Sequence, residues 1–241
     1  MTPQEEVLIE SARLGDIDGV KTALAAGANI HAYDDEAFRW AARNGHTDVV
    51  CALLAADADV HANDDEALRE AADHGHVEIV SRLLAADANV HADNDAALRW
   101  AAHQGHAEIA NRLLAAGADI HANDDAALCR AAAGGHAEIV SRLLAAGANV
   151  HAHDDAALCW AASQGHAEIV SRLLAAGADP VVALKGVLKR NRRRIATTLD
   201  ACAAALTSAQ RAALLDASRP GELVQLRAID VSAEKQRAIR R

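Results

Sequence analysis

Short apolar blocks alternate with polar, glycine-punctuated turns along most of the chain. In Ile79-Val80-x-x-Leu83-Leu84 the apolar residues fall along one stripe at helical spacing. A block of the form A-L-x-x-A-A (Ala67-Leu68 to Ala71-Ala72) precedes it and stops at Gly75-His76. Each pair of blocks predicts two short helices joined by a tight turn. Glycine suits the left-handed position just past a helix C-terminus, and it follows both helices, as Gly105 and Gly117 do. Asp35, Asp65, Asp95, Asp125 and Asp155 stand where the first helix should start. They are expected to cap it, accepting from free N–H groups and complementing the positive end of its dipole. The histidine of each Gly-His pair is expected at or near the N-cap of the second helix. Glu78, Glu108, Glu138 and Glu168 fall in that helix's first turn.

The pattern is periodic. His31, His61, His91, His121 and His151 recur every 30 residues, and so do Gly45-His46, Gly75-His76, Gly105-His106, Gly135-His136 and Gly165-His166. Five copies cover 31–180, and residues 1–30 read as an atypical first copy with Gly15-Asp16 at the Gly-His position. The expected organisation is a repeat array over 1–180 and a helical C-terminal cap of degenerate repeats over 181–241. Each helix is shorter than the ~12–15 residues at which isolated helices become even marginal in water, so neighbouring copies must cover one another's apolar stripes. Two copies carry Asp57 and Asp87 where the others have glycine.

Composition narrows the picture. The chain has 62 alanines and is 2% aromatic, so many helices with thin stripes are favoured and a core built on aromatic packing is excluded. No run approaches 18 consecutive apolar residues, so no membrane span is expected. The start MTPQEEVLIE lacks a basic n-region and a long apolar segment, and four cysteines are too few for a disulfide scaffold. A reducing, cytoplasmic setting is the expectation.

The signature G-H-x-E-I-V-x-x-L-L-x-x-G-A-D/N-V resembles the ankyrin-repeat family, and the resemblance covers 7–180. The usual unit there has about 33 residues and a T-P-L-H motif. Here the repeat is 30 residues long, and Glu66-Ala67-Leu68-Arg69 stands where T-P-L-H would. The chain is similar to the short-finger variety. The resemblance implies an all-α, ankyrin-like helix-turn-helix solenoid with short or absent β-hairpin fingers, acting as a non-catalytic protein–protein interaction module or scaffold.

Within near-identical units, invariant slots read as structural and variable slots as candidates for recognition. The most variable slot holds Trp40, Glu70, Trp100, Arg130 and Trp160. A second ends the first helix, with Arg43-Asn44, Asp73-His74, His103-Gln104 and Gln164. A third lies in the short finger, with Tyr33 and His153 among its members. The family resemblance implies that finger tips and the exposed face of the first helix line a concave, partner-binding surface. Three tryptophans in one column suit an interface, where Trp and Arg are enriched among hot spots. The same slot could equally be half-buried packing between first helices.

Charge is unevenly divided. Residues 1–180 hold 11 Lys and Arg against 29 Asp and Glu, net −18, whereas 181–241 hold 13 against 5, net +8. A partner carrying basic and apolar groups is therefore expected on the array, with the chain itself a monomer. Lys185, Lys189, Arg190, Arg192, Arg193 and Arg194 form a basic cluster. It offers an alternative reading as an adaptor for nucleic acid or another polyanion, or as a cap docking on another copy's acidic repeats in a self-associating array. No aromatic is interleaved with these basic residues, so nucleic acid is not favoured.

No cofactor, metal or catalytic residue is expected. Ten of the 13 histidines fall in the two repeated columns, whose members sit one helix layer apart, on the order of 8–10 Å, too far to share one zinc ion. The same spacing keeps Cys129 from Cys159, which read as packed free thiols. Cys51 and Cys202 have no neighbouring base. The Gly-His column is expected to order the inter-helix turn through side-chain to backbone hydrogen bonds.

Overall fold

The structure, a computed structural model, describes residues 2–182. The expected degenerate repeats from 183 onward and the basic cluster Lys185–Arg194 lie outside the described residues. The described residues fall into two compact units, divided after Ala122.

The first unit contains α1 (Pro3–Leu14), α2 (Ile17–Ala25), α3 (Glu36–Asn44), α4 (Thr47–Ala55), α5 (Ala62–Asp73), α6 (Val77–Ala85), α7 (Ala92–Gln104) and α8 (Ala107–Ala115). First helices pack in one row, α1 on α3, α3 on α5 and α5 on α7, and second helices in another, α2 on α4, α4 on α6 and α6 on α8. The described part of the second unit contains α9 (Ala122–Gly134), α10 (Ala137–Ala145), α11 (Ala152–Gln164) and α12 (Ala167–Ala175), with α12 packed on both α10 and α11. Among the described residues there is no β-strand. The all-α, ankyrin-like reading with abbreviated fingers therefore holds in both units.

The buried set follows the two sequence blocks. Leu68, Ala71, Ala72, Ile79, Val80 and Leu83 of one layer are essentially inaccessible, and their equivalents repeat in the other layers. Each buried Leu, Ile or Val contributes roughly 1.5–3 kcal/mol. The alanines leave no side-chain bulk between helices, so first helices stack closely. α1 opens instead with a local capping box, in which Thr2 Oγ1 accepts from the Glu5 N–H and Glu5 Oε2 accepts from the Thr2 N–H.

The repeated aspartates are not helix caps. Asp35 makes no side-chain capping bond to α3, and its backbone is left-handed. Each finger is a turn of three consecutive left-handed residues, such as Tyr33-Asp34-Asp35 (φ 55, 54 and 54°) and Asp93-Asn94-Asp95 (φ 49, 52 and 56°). Such a conformation costs roughly 1–2 kcal/mol per ordinary L-residue, and Asn and Asp tolerate it best. This explains the N/D-rich composition of the fingers. The turn buries its third residue. The Asp35 and Asp65 side chains are 4% exposed, and Asp35 Oδ1 accepts from the Asp59 N–H at 2.9 Å, Asp65 Oδ1 from Asn89 and Asp95 Oδ1 from Asp119, both at 2.7 Å. In the second unit Asp125 and Asp155 do the same to Asn149 and Asp179. Each aspartate therefore ties its finger to the start of the next one.

Histidine completes the latch. His31, His61 and His91 place Nδ1 3.1–3.2 Å from Asp35, Asp65 and Asp95, and His151 does so to Asp155. A carboxylate only accepts, so Nδ1 carries the proton. The receiving residue passes the connection on, since Asp59 and Asn89 each accept through Oδ1 from the N–H of the following histidine, His61 and His91. A side-chain and backbone relay thus runs from finger to finger within each unit.

The second histidine column makes the expected side-chain to backbone bonds, but across layers. His46, His76 and His106 occupy the N-cap position of the second helix without a side-chain capping bond. Their Nε2 atoms donate instead to carbonyls of the preceding layer, Arg13 (3.0 Å), Arg43 (2.9 Å) and Asp73 (3.0 Å). The ring crosses to the neighbouring layer and does not brace its own turn.

Asp57 and Asp87 adopt φ 66° and 63° in the slot that glycine fills elsewhere. Asp57→Gly and Asp87→Gly are each expected to stabilise the chain by roughly 0.5–1 kcal/mol, because glycine has no Cβ penalty in that region. Urea denaturation measures the gain, and an unchanged midpoint for both would contradict the strain argument.

Candidate partner-recognition surface

Three buried leucine positions orient the variable column. Leu68, Leu98 and Leu158 are 1% exposed or less, and they fix the first helix so that the residue two places on points away from the core. Trp100 is 36% exposed and Trp160 41%. Trp40, Glu70 and Arg130 are half-buried. The column thus reaches solvent at every described layer, more in the later tryptophans than in Trp40.

In the first unit these side chains are interlinked. Trp40 Nε1 donates to Glu36 Oε1 at 3.1 Å, and the Arg43 guanidinium lies 5.5 Å from the Trp40 ring centre. Arg43 also reaches Glu70 at 3.2 Å, and Glu70 is 3.7 Å from His74. Trp100 meets His103 edge-on, with ring centres 6.3 Å apart. Trp40 and Trp100 are therefore each contacted by the residue three positions later on the same helix face. An open cleft of about 110 Å³ lies over α3 and α5, lined by Glu36, Arg39, Trp40, Arg43, Glu66 and Glu70.

Other members of the expected surface couple layers. Asn44 Nδ2 donates to the Arg13 carbonyl at 2.9 Å, and Gln104 Nε2 donates to Asp73 Oδ1 at 2.9 Å. His74 stacks on His76, 6.2 Å between ring centres. Tyr33 is half exposed at the finger, and His153 lies at the finger of the second unit, 3.8 Å from Asp124. Gln164 is exposed at the end of α11.

One participant escaped sequence reasoning. Arg39 donates through Nε to the Asp34 carbonyl and through Nη2 to the Tyr33 carbonyl, both at 2.9 Å, and through Nη1 to Glu66. Arg69 and Arg99 grip their own fingers in the same way. The available signal was the recurrence of arginine at this slot in the first unit, replaced by Cys129 and Cys159 in the second. Burial alone would raise the Glu66 carboxyl. Hydrogen bonds from Asn63 and Arg39, with the charges of Arg39 and Arg69, overcome this and hold it below its ordinary value. Its stabilising contribution is therefore present above the ordinary carboxylate range and lost as pH falls through the lowered value.

Cys51, Cys129 and Cys159 are free thiols. Burial, reinforced by the Asp125 carboxylate, pushes the Cys129 thiol up to about 11, so it stays protonated at neutral pH. A half-buried thiol kept neutral is a packing group and not a nucleophile.

A family model describing three ankyrin repeats matches residues 38–124 and again 98–183, together more than half of the chain. The chain belongs to the ankyrin-repeat family. Ankyrin repeats are generally protein–protein interaction modules, and the family is typically non-enzymatic. No curated protein matches the chain in a sequence comparison. Among the described residues no helix is long and apolar enough to cross a membrane.

Proposed function

We propose that this ankyrin-repeat chain is a non-catalytic scaffold that binds a protein partner through the variable column. Trp40, Glu70 and Trp100 serve in the first unit, and Arg130 and Trp160 in the second. The observation that carries this reading is the exposure of Trp100 and Trp160, 36% and 41%, where the other large apolar side chains among the described residues are mostly buried. A layer needs only Ala, Leu, Ile and Val to close its core, so packing does not require an indole at the surface. Large aromatics held on a rigid helix bury much area at low entropic cost when a partner covers them.

The acidic balance over 1–180 favours a partner with basic and apolar groups, attracted by the net charge of −18. In this proposal the array 1–180 does the binding and 181–241 closes it.

A pull-down comparing the wild-type chain with the Trp40→Ala/Trp100→Ala/Trp160→Ala variant tests the reading, with helicity checked by circular dichroism. The variant is expected to keep its helicity and lose the partner. For the isolated complex, Trp100→Ala alone is expected to weaken binding by about 2 kcal/mol or more. Undiminished capture by the folded triple variant would overturn the proposal.

A further inference from the structure

We infer that the cleft over α3 and α5 takes a partner's arginine side chain, and that Arg43 is its resident stand-in. This deepens the reading of the variable column as a recognition surface and rests on it.

The cleft already displays the chemistry of its ligand. A guanidinium lies against the Trp40 ring, 5.5 Å from its centre, and meets a Glu70 carboxylate oxygen at 3.2 Å. Among the described residues, Trp40 and Glu70 are the side chains that hold Arg43 there. Its side chain is 45% exposed, and exposed ion pairs contribute little, so displacement is easy. Arg39 is a different case. Its guanidinium is bound to Glu66 and to two finger carbonyls, so it forms part of the wall.

Charge selects the sign of the occupant. Three carboxylates, Glu36, Glu66 and Glu70, face two guanidiniums across the cleft. When Arg43 swings out, Glu70 and the Trp40 face are left for an incoming cation, with Glu36 fixed beside them by the indole N–H. A planar guanidinium stacks on an indole and forks to a carboxylate, which a compact ammonium does less well. The arrangement is particular to this layer. The position of Arg43 is held by Asp73, His103, Ala133 and Ser163 in the following layers. The occupant is therefore an arginine of a protein partner, at a site distinct from the more exposed Trp100 and Trp160.

The test uses the full chain, 15N-labelled, titrated with acetyl-Gly-Arg-Gly-amide and followed by NMR. Saturable shifts are expected at the Trp40 indole N–H and at Glu36 and Glu70, with at least 5-fold weaker binding for the Gln peptide. Arg43→Ala, which removes the stand-in, is expected to tighten the Arg peptide at least 3-fold. Glu70→Gln is expected to weaken it at least 5-fold. Equal binding of the Arg and Gln peptides would overturn the inference. So would unchanged or weaker binding in Arg43→Ala, or preference for acetyl-Gly-Glu-Gly-amide with shifts at Arg43. If the peptide fails while the triple tryptophan variant still loses its partner, the arginine inference falls and the general reading stands.

Discussion

Asp95→Ala is expected to lower the unfolding free energy by about 3 kcal/mol, the scale of a broken buried hydrogen-bond network. The Asp95 side chain is 5% exposed and accepts from the Asp119 N–H at 2.7 Å and from His91 Nδ1 at 3.2 Å. Removing it takes a charged acceptor from the part-buried Asp119 and His91 bonds, and a hydrogen bond to a charged group is worth about 1.5–3 kcal/mol. It also releases the anchor that holds Asp93-Asn94-Asp95 left-handed, and alanine is poorly suited to that region. Asp95→Asn keeps an acceptor oxygen and is expected to lose about half as much. Urea denaturation measures both. A loss below about 0.5 kcal/mol for Asp95→Ala would mean that the latch contributes no more than an ordinary surface bond.

Gly75→Ala is expected to cost about 2–3 kcal/mol, for two separable reasons. Gly75 adopts φ 83°, and a Cβ built there would meet His106 Cε1 at 2.7 Å. The left-handed backbone accounts for about 1 kcal/mol. The rest comes from the imidazole, which must move and give up its 3.0 Å bond to the Asp73 carbonyl. A double-mutant cycle separates them. In a His106→Ala background the cost of Gly75→Ala should fall to about 1 kcal/mol, that of the backbone alone. An undiminished cost there would show that the ring does not rest on the glycine.

The fold was legible because its unit is short and copied. Thirty-residue spacing of His31, His61 and His91, helical periodicity in Ile79–Leu84 and glycine past each helix lead directly to stacked helix pairs. The role of the aspartates was not. An aspartate before an apolar block has the sequence signature of an N-cap, and nothing in a linear pattern distinguishes a bond within its own helix from one to a residue 24 positions on. The crossing of His76 to the Arg43 carbonyl was hidden for the same reason, since it spans 33 residues. Both findings share a cause. In a repeat array the fixed polar residues serve the junction between copies as much as the copy itself.

The proposed recognition surface was legible only as variability. Sequence comparison among the copies found Trp40, Trp100 and Trp160, and the structure gives Trp100 and Trp160 the exposure that a binding role requires. It also shows Asn44 and Gln104 spending their amides on neighbouring layers, which variability alone could not reveal. The pairing of Arg43 with Trp40 follows from helical three-residue spacing, but its link to Glu70 depends on how adjacent layers are set against each other.

Amide hydrogen exchange measured residue by residue tests most directly the claim that buried aspartates lock successive fingers. The Asp59, Asn89 and Asp119 amides are expected to exchange as slowly as those in the helix cores. In Asp65→Ala the Asn89 amide should lose that protection while Asp119 keeps it. Rapid, loop-like exchange of all three amides in the wild-type chain would contradict the account.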